Sequence, residues 1–298
     1  MSQMQLAFHP ELGKGQDLRL GLALGSLSTM IDLSFTEPYF LERPVAAGFD
    51  IFRTSNDRQS IASYSDSSVG FALRAGWALT EHTRQSVRYT LRSTNIYNVQ
   101  SWASPVVQSQ AGYSLTSEIS EVVSWDTRDN RLNPTKGVLL RNALALGGLG
   151  GTQYYFRATV DGVFYYSLID DLVFSIGGST GFVQPFNNST LLLNNRFYVG
   201  GDNLRGFRAG GIGPRDGNTT DALGGKYFYT ATTELSFPLP GLPKELPLIG
   251  KTFLDVGSLW GSADNPNYFP NILDSDIMRV APGVGVQWIS PFGPIRID

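Results

Sequence analysis

Apolar and polar residues alternate with a period of two along nearly the whole chain, which is the pattern of strands whose two faces meet different surroundings. From Asp17 to Gly25, Leu18, Leu20, Leu22 and Leu24 fall on one face and Asp17, Arg19, Gly21, Ala23 and Gly25 on the other. Val69, Phe71, Leu73, Ala75, Trp77 and Leu79 oppose Gly70, Ala72, Arg74 and Gly76, and Val87, Tyr89 and Leu91 oppose Arg88, Thr90 and Arg92. The alternation returns in Ile31 to Thr36, Tyr155 to Phe164 and Arg279 to Trp288. Turn signals separate the runs at Leu12 to Gly15, Asn133 to Gly137, Gly147 to Gly151, Asp170-Asp171 and Pro291 to Pro294. The pattern predicts an all-β, antiparallel sheet of about 13–14 strands and no amphipathic helix.

Composition bears on which face is wet. The polar face is made of Gly, Ala, Ser and Thr with isolated Arg, Asp and Glu, and there are 5 lysines against 18 arginines. A solvated surface carries more Lys and Glu, whereas arginines paired with carboxylates across strands suit a polar barrel lumen. Only 16% of residues are charged, against about 25% in ordinary soluble domains. Aromatic residues gather at strand tips: Tyr39, Phe40, Trp77, Tyr97, Trp102, Trp125, Tyr165, Tyr166, Trp260 and Trp288. That distribution fits the two interfacial girdles of a membrane barrel. The expectation is one transmembrane β-barrel domain over 1–298, with Leu20, Leu33, Phe71, Tyr89, Val160 and Leu254 facing lipid. A soluble sandwich would instead bury those residues, and a propeller would show a blade repeat of about 40–50 residues that is not found.

One segment stands apart. Pro185 to Gly225 has no strand or helix period of its own, and a loop that long is usually functional or disordered. It holds Leu191, Leu192 and Leu193, the pair Phe197-Tyr198, and an arginine, Arg205, framed by Leu204, Gly206 and Phe207. Downstream, two strand-like runs each carry one mid-strand acid, Glu234 and Asp255. Parity places Phe253, Asp255 and Gly257 on one face and Thr232, Glu234 and Ser236 on one face. A loop arginine framed by apolar residues and glycine, and two acids alone in apolar strands, are expected to pair.

Other chemistry finds little support. Net charge is −3 with no basic tract, so nucleic acid is not expected as a partner. Cysteine is absent, which removes disulfides and thiolate metal sites. His9 and His82 are the only histidines, far apart in sequence, and no Gly-x-Ser-x-Gly elbow occurs. Paired glycines such as Gly177-Gly178 open no helix and read as close strand approaches. No cofactor, metal site or enzymatic activity is expected. No stretch has the roughly 20 apolar residues of a spanning helix, and Met1-Ser2-Gln3 lacks the basic start of a signal peptide.

The chain resembles the barrels of BamA-type assembly factors in the bacterial surface antigen superfamily. The resemblance rests on Leu12 to Gln16, Phe35 to Phe40 (Phe-Thr-Glu-Pro-Tyr-Phe), Trp125 to Asp129 with Pro134 to Gly137, and Gly200 to Phe207. It continues through Thr233 to Pro238, Phe253 to Gly257 and Gly285 to Pro294. It implies a sixteen-stranded barrel in a bacterial outer membrane, with this chain beginning near the second strand and ending inside the fifteenth. It implies that the Arg205 loop folds into the lumen and that Arg205 contacts Glu234 and Asp255. The implied function is insertion of nascent β-barrel clients among outer-membrane lipids, with accessory lipoproteins reached through POTRA domains outside this chain. The runner-up is a polypeptide-translocating transporter of the same superfamily, TamA-like or of the two-partner secretion type. A passive porin comes third.

Overall fold

The computed structural model describes residues 2–8, 15–169, 171–239, 248–262, 269–290 and 293–297. The Leu12-Gly13-Lys14 and Pro291-Phe292 stretches and His9 lie outside the described residues. In chain order the strands are β1 (Ser2–Phe8), β2 (Asp17–Leu24), β3 (Ser28–Glu37), β4 (Val45–Asp57), β5 (Ser65–Ala78), β6 (Thr83–Tyr97), β7 (Gly112–Asp126) and β8 (Gly137–Gly147). They continue as β9 (Tyr155–Ile169), β10 (Leu172–Pro185), β11 (Arg215–Asp216), β12 (Tyr227–Pro238), β13 (Leu248–Trp260), β14 (Ile272–Leu273), β15 (Arg279–Ser290) and β16 (Gly293–Ile297). Two short helices, α1 (Gln59–Ala62) and α2 (Pro105–Ser109), sit in connections.

Fourteen of the strands form one antiparallel meander, each paired with its neighbours in sequence, and β11 pairs with β14 apart from it. Among the described residues β1 pairs only with β2, and β16 only with β15. Connections alternate between two ends of the sheet. One end has connections of 2 to 10 residues; the other carries α1, α2, the long segment between β10 and β12, and β14. The longest strands, β6, β7 and β9, run 15 residues. That exceeds the roughly 10 needed to cross a bilayer, so their loop ends reach beyond the apolar band.

Register sets the faces. Leu20 is opposite Leu33, Leu33 opposite Ile51, Ile51 opposite Phe71 and Phe71 opposite Leu91, so one continuous apolar row crosses five strands. This outer face is exposed: Leu20, Phe71, Val160 and Leu254 range from 38% to 45% accessible, and Leu33 and Tyr89 are half-buried in the same rows. These residues do not pack into a core between two sheets, so the soluble-sandwich reading fails. Among the described residues no helix is long and apolar enough to cross a membrane; the strands supply the spanning surface. The opposite face carries Asp50, Arg74, Arg88, Glu234 and Asp255, with Asp50 bridging Arg74 (3.1 Å) and Arg88 (2.8 Å). Small residues between these charges leave room for the long loop to enter.

The aromatic girdle needs one correction. Tyr166 is 53% exposed on the outer face, but Tyr165 is half-buried on the inner face, near Arg128 and Glu234. Adjacent strand residues point to opposite faces, so the two could not both lie in the girdle.

The buried apolar residues lie mainly where the long loop meets its surroundings. Tyr64, Ile96, Val106, Val107, Leu193 and Leu223 form one cluster over the loop end of the sheet. Val199, Leu204, Ile212, Phe228 and Leu259 form a second, deeper one.

Candidate functional site: the loop arginine and its inner-face carboxylates

The loop between β10 and β12 turns back along the inner face, and local bonds shape its tip. Asn203 accepts from Gly200 N through Oδ1 (2.8 Å) and donates through Nδ2 to Tyr198 O (3.0 Å). Gly201 N donates to Phe207 O at 2.6 Å, closing the tip around Arg205. Gly206 takes φ +81°, a left-handed conformation in which a side chain would be strained, and a Cβ there would meet Ala281 of β15. Leu204, fully buried, packs with Val199, Phe228 and Leu259, and Phe207 borders the same cluster. Gly257 makes this possible, since a Cβ at Gly257 would sit 3.3 Å from the Leu204 methyl.

Arg205 is thereby aimed at β12 and β13. Its Nε and Nη2 donate to the two oxygens of Asp255, both at 2.6 Å, and its backbone N–H donates to Asp255 at 3.2 Å. Nη1 donates to Glu234 at 3.2 Å. The guanidinium carbon lies over the Phe253 ring, 3.3 Å from its centroid, a cation–π arrangement. Register explains the convergence: Glu234 is paired with Phe253 and Thr232 with Asp255, so both acids and the ring share one face. The Thr232 hydroxyl also bonds Asp255. The Asp255 side chain is 3% exposed, which makes the fork a charge-assisted pair shielded from water.

Leu204, Arg205, Gly206, Phe207, Glu234, Phe253, Asp255 and Gly257 all meet at this one place. Two further cations join them that pattern reasoning missed. Lys251 Nζ and Arg296 Nη2 each reach Glu234 at 2.7 Å. Lys251 has the same parity as Phe253 and Asp255, which would have revealed it. Arg296 enters through the pairing of β16 with Gln287 of β15, which no local pattern reports. Gly283, opposite Phe253, was also missed; its missing side chain is the space that the Phe253 ring occupies.

A second set of contacts holds the loop from above. Asp216 and Asp221 are buried, at 5% and 4% exposure. Ser104, the residue capping α2, donates its hydroxyl to Asp216 (2.7 Å) and its N–H to Asp221 (2.7 Å), while Ser63 after α1 donates to Asp221 (2.7 Å). Burial pushes the Asp216 carboxyl up, but hydrogen bonds from Ser104, Asn218 and Thr219 outweigh it and hold the group below its ordinary range. Earlier in the loop, Arg92 and Arg157 of the inner face bond Asn195. Among the described residues no cluster of three or more His, Asp or Glu could hold a metal ion, and His82 is exposed at the β5–β6 turn. The arrangement grips a loop.

Comparison with known proteins agrees with this architecture. Residues 11–298 match the Omp85 superfamily domain. The chain is 30% identical over 287 residues to the outer membrane protein assembly factor BamA of Neorickettsia risticii, covering 96% of this chain and 38% of that protein. It is 28% identical over 280 residues to a SAM50-like protein of Schizosaccharomyces pombe, covering 91% of this chain and 58% of that one. The fold superposes on the structure of BamA from Haemophilus ducreyi lacking POTRA domains 1–3 with a TM-score of 0.86 at 22% identity, covering 98% of this chain and 62% of that chain. The chain thus spans 38% to 62% of the length of these relatives.

Proposed function

Because the chain belongs to the Omp85 superfamily, we propose that it is the barrel of a BamA-like factor that assembles β-barrel proteins into a bacterial outer membrane. The outer-membrane setting agrees with the exposed apolar rows and with the relatives named above. The bacterial assignment is part of the proposal, since the relatives include a protein of a fission yeast.

The observation that carries the reading is the docked loop. Arg205 fastens it to β12 and β13, and Ser63 and Ser104 fasten it above. A lumen occupied in this way suits neither a passive pore nor threading of a polypeptide, and it shifts the work to the sheet's edge and lipid face. No covalent step is involved. A strand edge offers unpaired N–H and C=O groups to a client strand by β-augmentation, in a medium where unsatisfied backbone groups cost several kcal/mol each. Nascent barrel proteins are the proposed clients, surrounding lipids a second partner, and accessory lipoproteins a third, reached through POTRA domains of the intact protein.

The test is reconstitution of the intact protein in liposomes, with client folding followed by the heat-modifiable gel shift. Faster client folding than in empty liposomes is expected. An unchanged rate overturns the assembly reading, and large, steady single-channel currents would favour the porin instead.

A further inference from the structure

The connection between β3 and β4 is built unlike an ordinary strand turn. Leu41 and Glu42, neither a glycine, both take left-handed backbone conformations, with φ of 54° and 59°. Non-glycine residues seldom adopt this conformation, and such strain is found where the surrounding structure uses it. Backbone bonds hold the shape: Glu42 N to Tyr39 O, Arg43 N to Phe40 O and Val45 N to Arg43 O, between 2.7 and 3.2 Å. The result is a hook that leaves Phe40 47% and Leu41 76% exposed.

The hook overhangs a groove of about 890 Å³, within the range of small-molecule sites. Its floor is the outer row Phe35–Phe49–Leu73, paired across three strands, with the Phe35 and Phe49 rings stacked at 5.6 Å. The floor of the groove therefore lies on the lipid-facing surface; Arg74, whose guanidinium is held by Asp50 on the inner face, borders it. Its rim is acidic. Glu37, paired with Ala47, lies in the next row of the same face, held by Gln16 Nε2 (2.6 Å) and Tyr39 N (3.3 Å). Glu42 is exposed on the hook, next to the exposed Arg43.

We propose that this groove binds one phospholipid with a primary-ammonium head group: the acyl chain lies along the Phe35–Phe49–Leu73 floor beneath Leu41, the ammonium meets Glu37 and Glu42, and Arg43 meets the phosphate. The site rests on the membrane reading above, because only a bilayer delivers an acyl chain to that face. Charge complementarity selects the lipid. Two carboxylates at the rim attract an ammonium and repel an anionic glycerol head group.

The test uses the intact protein in vesicles of equal phosphatidylethanolamine and phosphatidylglycerol, followed by extraction and native mass spectrometry of retained lipid. Retention of phosphatidylethanolamine over phosphatidylglycerol is expected. Glu42→Gln should lower it by about tenfold, the scale of one charge-assisted hydrogen bond, and Leu41→Ser should lower it without altering the head-group preference. Glu42→Lys should turn the preference toward phosphatidylglycerol. Equal retention of both lipids overturns the proposal, as does retention unchanged in all three variants. A protein that enters these vesicles, giving a heat-modifiable band, but retains neither lipid overturns only this site. One that never enters them overturns the membrane reading as well.

Discussion

Replacing Arg205 by alanine would remove the Asp255 fork, the Glu234 bond and the cover over Phe253 in one step. The two acids would be left in different states. Glu234 keeps Lys251 and Arg296, each at 2.7 Å. Asp255 keeps only the Thr232 hydroxyl among the partners described above, with its side chain 3% exposed. Breaking a buried pair from one side costs about 3–5 kcal/mol; the remaining hydroxyl and the water admitted by the lost side chain place this case near 3 kcal/mol. At about 1.4 kcal/mol per factor of ten, the undocked state of the loop tip rises by roughly 150-fold. Hydrogen exchange in detergent reads this directly at residues 198–212, whose amides include Gly201 bonded to Phe207 and Ile212 bonded to Val199. Exchange there should accelerate while the β10, β12 and β13 ladder stays protected. Arg205→Lys should fall between, because an ammonium cannot form the fork over Phe253. Combining Arg205→Ala with Asp255→Asn should cost less than the sum, since the stranded charge is gone. Unaltered exchange at 198–212 in folded Arg205→Ala would refute the reasoning, and so would strict additivity in the double variant.

Three further outcomes follow from the geometry. A Cβ at residue 283 would lie 2.2 Å from the Phe253 ring, so Gly283→Ala should displace the ring, cost about 1–3 kcal/mol and raise exchange at the same loop tip. Ser104→Ala removes both the α2 cap and the Asp216 bond; a loss of about 1–2 kcal/mol should show as faster proteolysis at residues 217–220 with the barrel intact. In the turn after β7, hydrogen bonds from Thr135 Oγ1 (2.6 Å) and from backbone N–H groups of Lys136, Thr135 and Asn130 hold the Asp129 carboxyl well below its ordinary range. A depressed acid stabilises fully above its unfolded pKa of about 3.9 and loses that contribution as pH falls through the lower folded value. Exchange at Thr135 and Lys136, corrected for intrinsic rates, should therefore quicken on acidification below about pH 4, and Asp129→Asn should remove that pH dependence.

Much of the sheet was legible because alternation is a local signal. Each strand declares its two faces, and a meander only has to pair neighbours. The meeting of Arg205 with Glu234 and Asp255 was legible for a related reason: charged residues that interrupt apolar runs need partners. Tyr165 lies near a strand end like Tyr166, but parity turns it to the inner face, which residue type alone does not report. Arg296 and Gly283 escaped because their roles depend on register across strands. The Asp216–Asp221 attachment escaped because its partners, Ser63 and Ser104, lie 158 and 112 residues away in connections with no pattern of their own.

Those separations also bear on the order in which the molecule is built. Ser63 and Ser104 come early in the chain, while Asp255, Lys251 and Arg296 follow the loop. Closing contacts across such lengths costs entropy before any contact repays it. The upper attachment has all its parts once Asp221 has emerged. The Arg205 fork has to wait for β13, and the charge cluster around Glu234 for Arg296 on β16. Seating of the arginine is thus a late event, complete only when the C-terminal strands are in register. A chain stalled before that point would carry a loop held at one end and free at the other, and a protease could tell the two states apart.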